Sequence, residues 1–224
     1  MPKLIVSQNQ LDYVGIFSRP SFPLYGSGPK LLEGLYTAFS PYRVTLSDIR
    51  DDSIYGRPSE LSLTVSFGLS GLFKLKLDRI EFSVYNFRAE DLQVFPQILR
   101  SGDEWLRSAI SDFSWGSHLF GSMSHNALSE GTSEEFLCGL SGLDIPNMGT
   151  SQGSGVIYHW TLPMDNWRVQ LLIDHSTTVN SGLFINFLLR PSGDRIDYEH
   201  VTLKGFDLFK RAVTTIGLEI TDDA

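Results

Sequence analysis

Apolar residues along this chain recur with two distinct periods, and the change of period marks out its elements. At about 29–39, Leu31, Leu32, Leu35, Tyr36 and Phe39 recur at helical spacing behind Pro29, which suits a first turn. The period then drops to two. In LSLTVSF, Leu61, Leu63, Val65 and Phe67 oppose Ser62, Thr64 and Ser66. In LFKLKL, Phe73, Leu75 and Leu77 oppose Lys74 and Lys76, and in RIEFSVYNF, Ile80, Phe82 and Val84 oppose Arg79, Glu81 and Ser83. Strict alternation predicts strands with one buried and one wet face, which favours antiparallel pairing. Gly68 to Gly71 reads as the hairpin turn between the first two.

Helical spacing returns with Leu92, Phe95, Leu99, Leu106 and Ile110. Pro96 is expected in the first turns or at a kink, and Ser101 with Glu104 has the form of a capping box that opens a second helix. A short helix is expected after Thr132, where Glu135 stands three residues on. Pro and Gly recur in 144–155, which reads as a linker or long loop. Further strands follow in VIYHWTL, WRVQLLI, LFINFLL and RIDYEHV, and a last helix is expected at about 203–216 with Gly217 as its cap.

The order is strands then helix, twice. SGLF occurs at Ser70 and again at Ser181, and DRI at Asp78 and again at Asp194. An α+β fold follows, with antiparallel sheets packed against a few helices and with an internal duplication expected. The expected division is an N-terminal half at 1–143, the linker at 144–155, and a C-terminal half at 156–224, with one continuous domain as the alternative.

Composition narrows the function classes. Of 224 residues, 42% are hydrophobic and 20% charged, which is ordinary for a globular chain. A formal charge of −8 with scattered Lys and Arg argues against binding nucleic acid through its phosphates. The lone Cys138 excludes an internal disulfide framework and a Cys-rich zinc site. It is expected to be an inert thiol buried in an apolar helix. No signal peptide or membrane-length apolar run is present, so a cytoplasmic setting is expected.

The candidate chemistry is sparse. GTSQG (149–153) matches the nucleophile elbow of α/β-hydrolases but lacks the strand before and the helix after, so Ser151 reads as a loop serine. No phosphate-binding glycine motif occurs. WGSHLFGSMSH is the most unusual stretch. It makes Trp115, His118 and His125 the candidate ligand- or partner-binding residues. The two histidines would share a face if helical, but Gly116 and Gly121 oppose a helix, and a loop is expected. A metal site would need a third ligand from the dispersed His159, Asp174, His175 or His200. His175 and His200 fall on the apolar faces of their expected strands and read as half-buried, hydrogen-bonded histidines.

LDRIEFSVYNFRAEDLQVF (77–95) and FDLFKRAVTTIGLEI (206–220) together resemble a broad group of uncharacterised prokaryotic α+β proteins built from two such halves. The resemblance implies a cytoplasmic protein and carries over no catalytic residue. The expected function is therefore non-catalytic binding of a protein partner or small ligand, with no cofactor, no nucleic acid and no membrane. Two alternatives stand beside it. One is a metal-dependent or acid-base enzyme using His118 and His125. The other is an acidic inhibitor or immunity-type protein that masks a basic target.

Overall fold

Fifteen elements follow one another among the described residues of a computed structural model, which are 1–25, 28–54, 57–68, 70–141, 155–163 and 165–220. In chain order they are β1 (Lys3–Phe17), α1 (Phe22–Tyr25), α2 (Gly28–Phe39), β2 (Ile49–Asp51), β3 (Ser62–Phe67), β4 (Gly71–Lys76), β5 (Arg79–Tyr85) and α3 (Asp91–Ala109), then β6 (Trp115–Leu128), α4 (Ser133–Ser141), β7 (Val156–Leu162), β8 (Trp167–His175), β9 (Leu183–Arg190), α5 (Tyr198–Thr215) and β10 (Glu219–Ile220). Nearly all of the expected linker, including GTSQG, lies outside the described residues.

By hydrogen-bonded neighbours the strand order is β2-β3-β4-β5-β1-β6-β9-β8-β7, and β10 pairs parallel to β1. This antiparallel sheet with its helices is the expected α+β class. The chain forms two compact units, neither coinciding with 1–143 or 156–224. One comprises Met1–Gln10, Gly121–Leu189 and Leu203–Ala224; the other comprises Leu11–Phe120 and Arg190–Thr202.

In the second of these units the alternating strands do what their pattern predicts. Leu63, Val65, Phe73, Leu75, Ile80 and Phe82 are buried while their neighbours Lys74, Lys76 and Glu81 are not. Gly68 turns the β3–β4 hairpin with φ +59°. Helix α3 lies on this face. Phe95 stacks on Phe82 with centroids 4.9 Å apart, and Phe39 of α2 meets Phe73 at 4.9 Å. A Cβ at Gly102 would stand 3.3 Å from Phe73, so the glycine lets the helix approach the sheet closely. Helix α3 is continuous through Ser101, contrary to the expected second helix start. The Ser101 hydroxyl bonds the Tyr42 hydroxyl at 2.9 Å and caps nothing.

The other unit packs β8 and β9 (Val169, Leu171, Ile173, Leu183, Ile185, Phe187) beneath α4 and α5, which contribute Leu137, Phe209 and Val213. The expected caps are present. The Glu135 amide donates to Thr132 Oγ1 at 3.2 Å, and the Thr132 amide donates to Glu135 Oε2 at 3.0 Å. Gly217, at φ +91°, follows α5, and the Leu218 amide closes back on Val213.

Several expectations are corrected. RIDYEHV is not a strand. Asp197 Oδ1 accepts from the amides of Glu199 and His200, both at 3.1 Å, and so caps α5, which starts five residues earlier than expected. His200 is therefore exposed on a helix. The first DRI runs from a bend at Asp78 into β5 while the second lies outside the strands; SGLF, by contrast, leads from a turn into a strand at both places, β4 and β9. WGSHLFGSMSH is part of strand β6, not a loop. Cys138 is exposed, because α4 turns Leu137 inward and the next position about 100° away. His175 is half-buried with Nδ1 3.1 Å from Ser133 Oγ, as expected of it.

Candidate functional site

Two places concentrate unusual chemistry, each within one unit. The first is built around His118. His118 belongs to one unit, while His125 belongs to the other, where its Nδ1 lies 2.9 Å from Ser176 Oγ and its ring 4.9 Å from Phe184. Trp115 and His118 do meet, with ring centroids 5.3 Å apart.

The partners of His118 come from far along the chain. Tyr13 of β1 places its hydroxyl 2.8 Å from His118 Nδ1. Tyr198, at the start of α5, packs edge-on to Tyr13 with centroids 5.7 Å apart. Tyr13, His118 and Tyr198 are all buried. Burial holds the Tyr13 hydroxyl well above its ordinary pKa and pushes Tyr198 above the phenol range. Burial also lowers His118 to about 4, although the backbone of Gly193 and Asp194 and the Asp194 charge pull the other way. At neutral pH the ring is uncharged. Tyr13 keeps its proton, and the direction of its 2.8 Å hydrogen bond with Nδ1 follows the tautomer of the uncharged ring. Nε2 and the Tyr198 hydroxyl are both buried without a hydrogen-bond partner of good geometry.

An ion network closes the rim of this cluster. Asp103 Oδ1 accepts from Arg107 Nε at 2.9 Å and from Trp115 Nε1 at 2.8 Å. Arg107 reaches Asp194 Oδ2 at 3.2 Å, and the Trp115 amide donates to Asp194 Oδ1 at 2.6 Å. Burial raises Asp103 above the usual carboxylate range. For Asp194 burial also acts upward, but the Trp115 amide and Arg107 outweigh it and hold the carboxyl low. Every acidic group here is engaged by Arg107 or Trp115. The arrangement ties β1, β6, α3 and the start of α5 together, and its part-exposed carboxylate, Asp194, with 42% of its side chain accessible, is held by Arg107 and the Trp115 amide. No group of three metal-ligating side chains occurs among the described residues. Sequence reasoning missed Tyr13, Tyr198, Asp103, Arg107 and Asp194, and nothing local marks them.

The second place is the outer strand β7. It pairs with β8 over Val156↔Ile173, Tyr158↔Leu171, Trp160↔Val169 and Leu162↔Trp167. Those four β8 partners are buried, so Tyr158 and Trp160 extend the core face of the sheet to its rim. Tyr158 is 38% exposed, and Ile157 on the other face 54%. Beside the strand lies a hollow of about 570 Å³ lined by Tyr158, His159, Trp160 and Leu171 of the sheet, Leu140 of α4, Ala212 and Thr215 of α5, and Ile216 just after it. Among the described residues no strand pairs with the other edge of β7.

The opposite rim of the sheet order is built differently. β2 is three residues long and includes Arg50 and Asp51. Short, charged edges resist pairing with other strands. β7 is seven residues long, and from Gly155 to Pro163 it contains no Asp, Glu, Lys or Arg.

None of the described helices is long and apolar enough to cross a membrane. No protein-family model matches the chain, and no curated protein matches it either.

Proposed function

We propose that this chain is a non-catalytic interaction protein that binds another polypeptide by strand addition at β7. One observation carries the reading: β7 is a long, uncharged, aromatic edge strand, in a sheet whose other end is short and charged. An added strand satisfies the outward backbone groups of such an edge, and alternate side chains give specificity. The hollow beside Tyr158 and Trp160 offers a place for one apolar side chain of the incoming strand. The enzyme alternative needs an accessible imidazole at His118, and that ring is buried. The charge-masking alternative finds no acidic patch on this edge. A cytoplasmic setting accords with an exposed thiol that has no disulfide partner.

The test is a selection of displayed nonapeptides on the immobilised protein, followed by hydrogen-exchange mapping of the best binder. The expected result is enrichment of extended, β-branched and aromatic peptides that protect the amides of 156–162. Protection confined to another element would refute the reading.

A further inference from the structure

The partner of β7 is named by the strand itself. We infer that it is β7 of a second copy of this chain, paired antiparallel about a two-fold axis through His159. This inference rests on the strand-addition reading above and narrows it.

The argument starts from register. β7 has seven residues, so His159 is its centre. Antiparallel self-pairing about that centre sets Val156 against Leu162, Tyr158 against Trp160, Ile157 against Thr161, and His159 against its own counterpart. Each pair matches in kind: branched aliphatic with branched aliphatic, aromatic with aromatic, β-branched with β-branched. Matched cross-strand pairs of these types are what stabilise antiparallel ladders. An isologous interface requires such self-complementarity, and a strand selected for a different partner does not.

The faces agree with the register. Val156, Tyr158, Trp160 and Leu162 lie opposite buried residues of β8. Pairing two copies therefore joins two core faces into one and places the Tyr158–Trp160 pairs beside the hollow of each copy. His159, opposite Gln170 on the other face, meets its counterpart with no carboxylate or cation in β7 itself. Gly155 and Pro163 bracket the segment, and Pro163 has no N–H to continue a ladder.

Charge separates this partner from others. Each copy carries −8, so long-range repulsion opposes self-association and salt screens it. The dimer is expected to hold or strengthen as salt rises. A complex docked by charge on a basic target weakens instead.

The experiment is sedimentation velocity on the full chain from micromolar to submillimolar concentration, with His159→Glu, His159→Lys and their equimolar mixture. Circular dichroism checks that each variant folds, and the exposed Ile157→Lys serves as a second variant. The expected result is a reversible wild-type dimer, with dissociation constants weakened by about tenfold or more in each single variant. The Glu and Lys variants together recover a heterodimer, because only this register sets the two positions face to face. A wild-type chain that stays monomeric throughout overturns the second copy as partner. So does a dimer that the charged variants leave intact, or a mixture that fails to recover. A synthetic peptide of residues 155–163 and the displayed-peptide selection then separate the two readings. If it binds the monomer and protects 156–162, self-pairing at β7 stands in isolation; if it does not, strand addition with a different partner stands or falls on whether the displayed-peptide selection yields a binder that protects 156–162.

Discussion

Burial of His118 makes the stability of this fold depend on pH in a way that one substitution can isolate. The ring titrates at about 4 in the folded chain, against an ordinary 6.5. Between these values the unfolded chain binds a proton that the folded chain does not. Stability is therefore fully present above about pH 7, falls as pH drops through 6.5, and levels off below about 4. Integrated to about pH 4.5, the loss from this residue is about 2.5 kcal/mol. That is a large share of the 5–15 kcal/mol typical of a domain. The perturbation is His118→Gln, which keeps an acceptor for the Tyr13 hydroxyl and removes the titration. It should cost about 1–3 kcal/mol at about pH 7.5, because the amide fits the imidazole's place imperfectly. The assay is urea unfolding of both proteins at about pH 7.5 and about pH 4.5, with free energies by linear extrapolation. Other groups titrate alike in both chains and largely cancel in the difference. The wild-type advantage should shrink by about 2.5 kcal/mol on acidification and can reverse sign. An advantage that stays constant across this range would show that His118 is not held neutral by burial, and the account of the cluster would fail.

Three further outcomes test the same geometry. Gly15→Ala places a Cβ 2.5 Å from the Trp115 ring and 2.5 Å from the Tyr13 hydroxyl, both buried. It should cost about 1–3 kcal/mol in thermal denaturation, whereas Gly139→Ala in α4, with nothing within 4 Å, should gain about 0.5–1 kcal/mol. Asp103→Asn removes the charge facing Arg107 while leaving an oxygen for Trp115 Nε1; it should lower stability by about 1–3 kcal/mol and alter the near-ultraviolet dichroism of Trp115. Cys138 should react with a thiol reagent in the native state at one equivalent per chain, since it is exposed and is the only cysteine. A thiol that reacts only after denaturation would contradict its placement on α4.

Much of the fold class was legible along the chain, because burial of one face writes itself into local periodicity. The alternation in β3, β4, β5 and β8 and the helical spacing in α2, α3 and α5 are such cases. So are the caps at Thr132 with Glu135 and at Gly217, where the signal is a backbone group satisfied within a few residues. β1 carries an alternating buried stripe at Leu11, Tyr13 and Phe17, broken only by Gly15, whereas polar residues and a glycine occupy many of the inward positions of β6. In β6, Gly121, Ser122, Ser124 and Asn126 leave no apolar stripe, although all four are buried. The second DRI shows the same limit from the other side: Asp197 takes up the amides of the helix start, and a strand-like word becomes a cap.

Only tertiary structure brought Tyr13 to His118, which are 105 residues apart, and set Asp194 against Arg107, 87 residues apart. Nothing near any of these residues encodes its partner, because such contacts depend on strand order and not on the neighbours along the chain. The edge at β7 divides between the two levels. Its neutrality and alternation are properties of seven consecutive residues. That its outer side faces no other described strand is a property of the sheet, decided by which strands pair with one another.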